Sequence, residues 1–300
     1  MRVWLNGRPA HAPCWRDRGL QYGDGLFETM RVYEHRIALL DEHLRRLARG
    51  CRRLGLPAPP RGLRAELERA ARRWPHALIK LVLTRGIGER GYRAPRPCRP
   101  HRLVFCEPRP AAPAVHTEAV RVRLCRTRVS ENAALVGLKT LNRLDSVLAR
   151  SEWRDARILE GLMRDHRGDI VCGTMSNIFI ARRGRLLTPA LDHAGVAGVM
   201  RRWVLGAARR AHIPVREGRL SMSMLADAEE VFLTNAVIGI CSVGALRLGS
   251  RCLHPASQAI ATHLRRKFAA LLEDAPRLRG RDVHRLPALR AQSLVRGPRS

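Results

Sequence analysis

The spacing of apolar positions changes several times along the chain, and each change marks an element. "RVWLNG" (residues 2–7) reads as an opening strand. "GLFETMRVYEHRIALL" (25–40) alternates apolar and polar residues as a strand pair turning near Glu34 and His35. In "DEHLRRLARGCRRLGL" (41–56), Leu44, Leu47, Cys51 and Leu54 recur at helical spacing, with acids at the start to suit the helix dipole and a stop at Gly55, before Pro57. A second helix, around residues 61–73, precedes the apolar strand "HALIKLVLT" (76–84), which runs into the glycine-rich loop "RGIGERGYRAPRP" (85–97). This loop reads as mobile, and such loops commonly carry function.

After another strand, "HRLVFCE" (101–107), the proline- and alanine-rich stretch "PRPAAPAVH" (108–116) lacks apolar periodicity and reads as a linker. It divides an N-terminal α/β unit, 1–113, from a C-terminal unit, 114–273. Strands at "AVRVRLC" (119–125), "RILEGLMRD" (157–165) and "SNIFIAR" (176–182), and a pair joined around Asn235 and Ala236, make the second unit strand-rich. Its helices are one carrying Leu141, Leu144, Leu148 and Trp153 behind a Thr140 cap, one entered through "GVAGVM" (195–200), and one over about 255–273. Residues 274–300 are polar and arginine-rich and read as a mobile tail. The fold class is α+β in two domains.

A length of 300 residues with 45% hydrophobic content suits a folded soluble protein. No run approaches the roughly 20 apolar residues of a membrane span, and "MRVWLNGRPAHAPCW" lacks the apolar core of a signal peptide. A cytoplasmic protein is expected. The eight cysteines contain no C-x-x-C pair and the twelve histidines no ligand spacing, so no metal is expected. A net charge of +30 raises the question of nucleic acid, but the arginines run through every segment and aromatics make up only 4%. They read as solvated faces with incidental affinity for polyanions, not as a dedicated nucleic-acid surface.

Within that charge one residue type is scarce. Of 56 lysines and arginines only Lys80, Lys139 and Lys267 are lysines. Lys139 lies between the apolar "AALVGL" and the following helix, where partial burial would lower its pKa. A neutral amine can attack a carbonyl, which a guanidinium cannot. On residues alone, an ordinary surface lysine explains the position too.

The order of several motifs decides between these readings. "RGLQYGDGLFETMRV" (18–32), "HLRRL" (43–47), "RGIGERGY" (85–92), "GLKTLNRLDSVLAR" (137–150), "SNIF" (176–179), "GVAGVMR" (195–201) and "TNAV" (234–237) together resemble the fold-type IV pyridoxal-phosphate enzymes. That family includes branched-chain and D-amino-acid aminotransferases and 4-amino-4-deoxychorismate lyases, and "RGIGERGY" and "KTLNRL" are most similar to the lyases. The resemblance implies that Lys139 carries pyridoxal 5'-phosphate covalently and that Arg46 binds its phosphate, together with the backbone of Val199 and Met200 and the Asn235–Ala236 turn. Arg90 and Tyr92, then Tyr22 and Arg31, are candidates for binding substrate carboxylates. It further implies a small-molecule substrate, a site between the two domains and a homodimer. Two rivals stand beside the lyase: an aminotransferase, and a polyanion-binding protein on a retired enzyme scaffold.

One position departs from the pattern. Where the family carries a glutamate for the cofactor's pyridine nitrogen, five residues before Asn177, this chain has Cys172. A thiol, with a pKa near 8.5, supports a protonated ring nitrogen far less well than a carboxylate. Asp169 lies an odd number of residues away, on the opposite strand face, and does not replace it.

Overall fold

A computed structural model describes residues 2–9, 15–110 and 118–274. The boundary expected at residue 113 and the tail from residue 275 onward lie outside the described residues.

The first unit is a six-stranded sheet. In chain order its strands are β1 (Arg2–Leu5), β2 (Arg8–Pro9), β3 (Gly25–Tyr33), β4 (Arg36–Ile37), β5 (Ala77–Thr84) and β6 (His101–Pro108), and in space they run β2-β1-β6-β5-β3-β4. Its helices are α1 (Arg18–Tyr22), α2 (Leu40–Leu54) and α3 (Leu63–Ala71). Strand β3 shows why α2 packs where it does. Leu26, Met30 and Val32 are buried on one face, meeting Leu47 and Cys51 of α2, while Phe27, Thr29, Arg31 and Tyr33 occupy the other, more open face. Gly55 ends α2 with φ 61°, a left-handed conformation that glycine adopts without strain.

The second unit adds α4 (Leu144–Arg150), α5 (Val199–Arg210), α6 (Met222–Ala226) and α7 (Ala259–Asp274) to a nine-stranded sheet. Those strands are β7 (Val120–Leu124), β8 (Ile158–Arg164), β9 (Ile170–Gly173), β10 (Asn177–Arg182), β11 (Arg185–Pro189), β12 (Val215–Gly218), β13 (Glu230–Asn235), β14 (Gly239–Leu248) and β15 (Arg251–Leu253). They run β12-β11-β10-β13-β14-β7-β8-β9, with β15 paired to β14. Phe179 and Phe232, directly opposite each other on β10 and β13, stack with centroids 5.1 Å apart beneath α5 and α7. Ala38 and Leu39 of the first unit join that same core, so the two sheets are packed together.

One helix differs from its sequence expectation. It runs only from Leu144 to Arg150, so Leu141 and Trp153 lie outside it, and Thr140 is not its cap. The reason is a competing backbone pairing. Thr140 forms a bridge with Leu26, Phe27 N–H donates to Lys139 C=O at 2.9 Å, and Leu141 N–H donates to Gly25 C=O at 3.0 Å. On its other side the same segment pairs Gly137 with Val196. Residues 137–141 are therefore an extended strap between β3 and the loop leading into α5.

Candidate active site

The strap sets Lys139 against the rest of the site. Its Nζ stands 4.2 Å from the centre of the Phe27 ring, and the side chain remains partly accessible. Burial of the amine, with Arg46, Arg143 and Lys80 nearby and only Glu28 opposing them, lowers its pKa to about 7. Near neutral pH it is half uncharged. Lys80 on β5 reaches the same ring, 5.5 Å from its centre, so two of the three lysines share Phe27.

Arg46 is buried on α2, and its Nη1 donates to Ala197 C=O at 3.1 Å, immediately before the start of α5. Its Nε donates to Glu28 Oε1 at 2.8 Å and its Nη2 to Glu28 Oε2. Helix α5 begins after Gly198, and its first helical bond runs from Arg202 N–H to Gly198 C=O, so the N–H groups of Val199 and Met200 belong to the open first turn. Gly198 is required by proximity: a Cβ there would sit 2.0 Å from Asn177 Oδ1. Asn177 Nδ2 fixes the same loop by donating to Val196 C=O at 2.9 Å. Arg46, the strap and a helix N-terminus thus converge, and together they fit a phosphate joined to a carbonyl-bearing ring.

Asn235 closes the β13–β14 turn, its Oδ1 accepting from Val237 N–H at 2.8 Å and Ile238 N–H at 2.9 Å while Nδ2 donates to Met175 C=O at 3.3 Å. Its side chain shapes the turn, which leaves the backbone at Asn235 and Ala236 as the part able to meet a ligand.

Cys172 lies on β9, opposite Met163 of β8. Burial pushes its thiol up to about 12, with Glu160 and Asp145 adding to the rise. Neither Glu160 nor Asp169 is free to replace it as a partner for a ring nitrogen. Glu160 accepts from Thr174 N–H at 3.0 Å, Met175 N–H at 3.2 Å and Ser176 Oγ at 2.8 Å, and also from Gly161 N–H and Thr174 Oγ1, so its acceptor sites are spent on the turn before Asn177. Asp169 is held by Arg219 at 2.5 Å.

The glycine-rich loop is pinned, contrary to its mobile reading. Buried Arg18 donates to the carbonyls of Gly91 at 2.9 Å and Tyr92 at 3.0 Å, and Tyr22 Oη accepts from Gly91 N–H at 3.3 Å. Tyr22 and Tyr92 meet edge-on at 5.4 Å, but Tyr92 is 86% exposed and Arg90 is exposed too. Arg31 lies elsewhere, on the Phe27 face of β3, with its guanidinium over the Tyr33 ring. The four candidate substrate residues therefore divide between two places.

Sequence reasoning missed Glu28, His43, Glu160 and Lys80. Glu28 carried a signal, as the one charge among the inward positions of an alternating strand; Lys80 carried its rarity. Among the described residues, no group of three or more His, Cys, Asp or Glu could hold a metal ion, and no helix is long and apolar enough to cross a membrane.

Residues 25–246 match the family model described as amino-transferase class IV, and the chain belongs to that family. Its members depend on pyridoxal phosphate and share the fold-type IV architecture seen here. The solved 4-amino-4-deoxychorismate lyase of Pseudomonas aeruginosa is 44% identical and superposes with a TM-score of 0.82, covering 91% of this chain and 98% of that one. A branched-chain aminotransferase of Thermoproteus uzoniensis, solved with norvaline, is 26% identical with a TM-score of 0.77, covering 90% and 95%. The aminodeoxychorismate lyase of Vibrio harveyi is 30% identical over 246 residues, covering 81% of this chain and 90% of that protein.

Proposed function

We propose that this chain is an aminodeoxychorismate lyase, converting 4-amino-4-deoxychorismate to 4-aminobenzoate and pyruvate on the way to folate. The observation that carries this reading is position 172, which offers only a neutral thiol where a transaminase would want a carboxylate. An aminotransferase must stabilise a carbanion through the cofactor ring and reprotonate it at the cofactor carbon. The lyase reaction leans less on the ring, because loss of pyruvate yields an aromatic product. The 44% identity to a solved lyase supports the same choice.

In this reading Arg46, the N–H groups of Val199 and Met200, and the backbone at Asn235–Ala236 hold the cofactor's phosphate, and Lys139 holds its aldehyde carbon. The bound cofactor supplies a group that exchanges amines and a ring that accepts electron density. Lys139 Nζ would take the proton from the substrate ring carbon. Its ammonium then delivers a proton to the departing enolpyruvate. A pKa of about 7 populates both forms near neutral pH, which suits one group acting as base and then as acid. Lys80 and Arg31, on the open face of the first sheet, are placed to attract the substrate's carboxylates. The homodimer belongs to this proposal too.

The test supplies the purified, cofactor-loaded protein with aminodeoxychorismate generated in situ and follows 4-aminobenzoate fluorescence. Product formation without an amino donor supports the lyase. A protein that makes none, yet exchanges amino groups between amino acids and oxo acids, is an aminotransferase. One that takes up no cofactor and binds nucleic acid in a salt-dependent way leaves the retired-scaffold reading.

A further inference from the structure

Glu28 is accounted for neither by the amine nor by the anion cradle. It lies between Leu26 and Met30 on the inward face of β3 and is 2% exposed, a setting that strongly disfavours an unpaired carboxylate, so its partners must be specific. Both oxygens are engaged. Arg46 takes them through Nε and Nη2, and His43 Nδ1 lies 2.6 Å from Oε2. His43 and Arg46 are three residues apart on α2 and so share a helix face. Glu28 thereby occupies the side edge of the guanidinium. Of Arg46's five N–H donors three are engaged, leaving one on each terminal nitrogen to meet an anion. His43, with Nδ1–H spent on Glu28, keeps a buried Nε2 without a hydrogen-bond partner.

The groups acting on Lys139 are Glu28 of β3, His43 and Arg46 of α2, Lys80 of β5, and Arg143 ahead of α4. Glu28 is the only anion among these named groups. When no ligand is present the cluster is poor in negative charge, which favours a neutral amine. A phosphoryl group on the free edge of Arg46 adds up to two negative charges in a setting where water screens weakly.

We propose that Glu28 is the positioning residue of the phosphoryl subsite, turning Arg46 toward α5, and that filling this subsite favours the protonated form of Lys139 Nζ. The empty site offers an amine ready to attack a carbonyl; the filled site turns the same nitrogen into a proton carrier. This rests on the family's phosphate-bearing cofactor and not on the choice between lyase and aminotransferase.

The rarity of lysine makes the test direct. The full-length, cofactor-stripped protein is acetylated across a pH series with and without saturating inorganic phosphate at matched ionic strength, and Lys139 is read by mass spectrometry. Exposed Lys267, outside this cluster, serves as the internal reference. The expected result is that phosphate moves the Lys139 midpoint upward by about one pH unit, slowing its modification at pH 7 roughly fivefold, with Lys267 unchanged. Glu28→Gln should bind phosphate at least about tenfold more weakly, since its single carbonyl cannot hold both nitrogens of the fork. An unmoved midpoint in the wild-type protein overturns the inference, whether or not the variant folds; equal slowing at every pH is that same result and means simple occlusion. A folded Glu28→Gln with undiminished phosphate affinity also overturns it. Cofactor uptake is scored separately by absorbance, so loss of this inference leaves the cofactor assignment standing.

Discussion

Burial drives both Lys139 and Cys172 toward the neutral form. The amine loses its charge easily, and the thiol never gains one. For Lys139 the folded pKa is about 7, against 10.5 for a free lysine. Between those values the unfolded chain binds more protons, so stability rises with pH across this window and the penalty is complete below pH 7. Cofactor-free Lys139→Met should therefore melt higher than wild type at pH 6, by about 5 °C, with the gain fading toward pH 10.5; differential scanning calorimetry reads this. For Cys172 the useful change is to glutamate. Placed beside Glu160, the new carboxyl should lower the melting temperature by several degrees through like-charge repulsion. If a weak electron sink is sufficient for the lyase, Cys172→Glu changes 4-aminobenzoate formation by less than about threefold while raising the amino-donor half-reaction at least about tenfold. A large gain in the lyase rate would mark the native thiol as a defect.

Elements fix what these residues can reach. The entry to α5 is set by contact between Gly198 and Asn177, and buried Asn177 is tied to Val196, so it has little room to yield. Gly198→Ala should cost about 1–3 kcal/mol in denaturant unfolding and weaken cofactor binding in an absorbance titration. Helix α4 presents Leu144, Val147 and Leu148 at 70%, 57% and 56% exposure, an apolar face at helical spacing that suits the interface of the proposed homodimer. Light scattering should find a dimer in the wild type and a monomer after Val147→Glu with Leu148→Glu. A monomeric wild type removes that reading. Much at this scale was legible in the sequence. Alternation gave β3, an apolar run gave β5, and apolar spacing with Gly55 gave α2, because those patterns report burial directly. The start of α4 was not legible, since Leu141 fits a helical spacing and nothing local announces the pairing of Thr140 with Leu26. The pinned glycine-rich loop was missed for the same reason: its clamp, Arg18, lies more than seventy residues away in the chain.

At the scale of the whole molecule, the site draws Glu28, His43 and Arg46 from the first sheet unit and Lys139, Asn177 and the α5 entry from the second. Motif order in the sequence pointed to Lys139 and Arg46, and alternation already set Glu28 apart, but its pairing with His43 and Arg46 became visible only when β3 and α2 were packed face to face. The strap at residues 137–141 is bonded to β3 on one side and to the loop before α5 on the other. A chain emerging from synthesis meets β3 and α2 well before Lys139, and the α5 cradle later still. Capturing the cofactor is then possible only after both halves have folded and docked, so the colour of the bound cofactor is a readout of finished assembly as well as of chemistry.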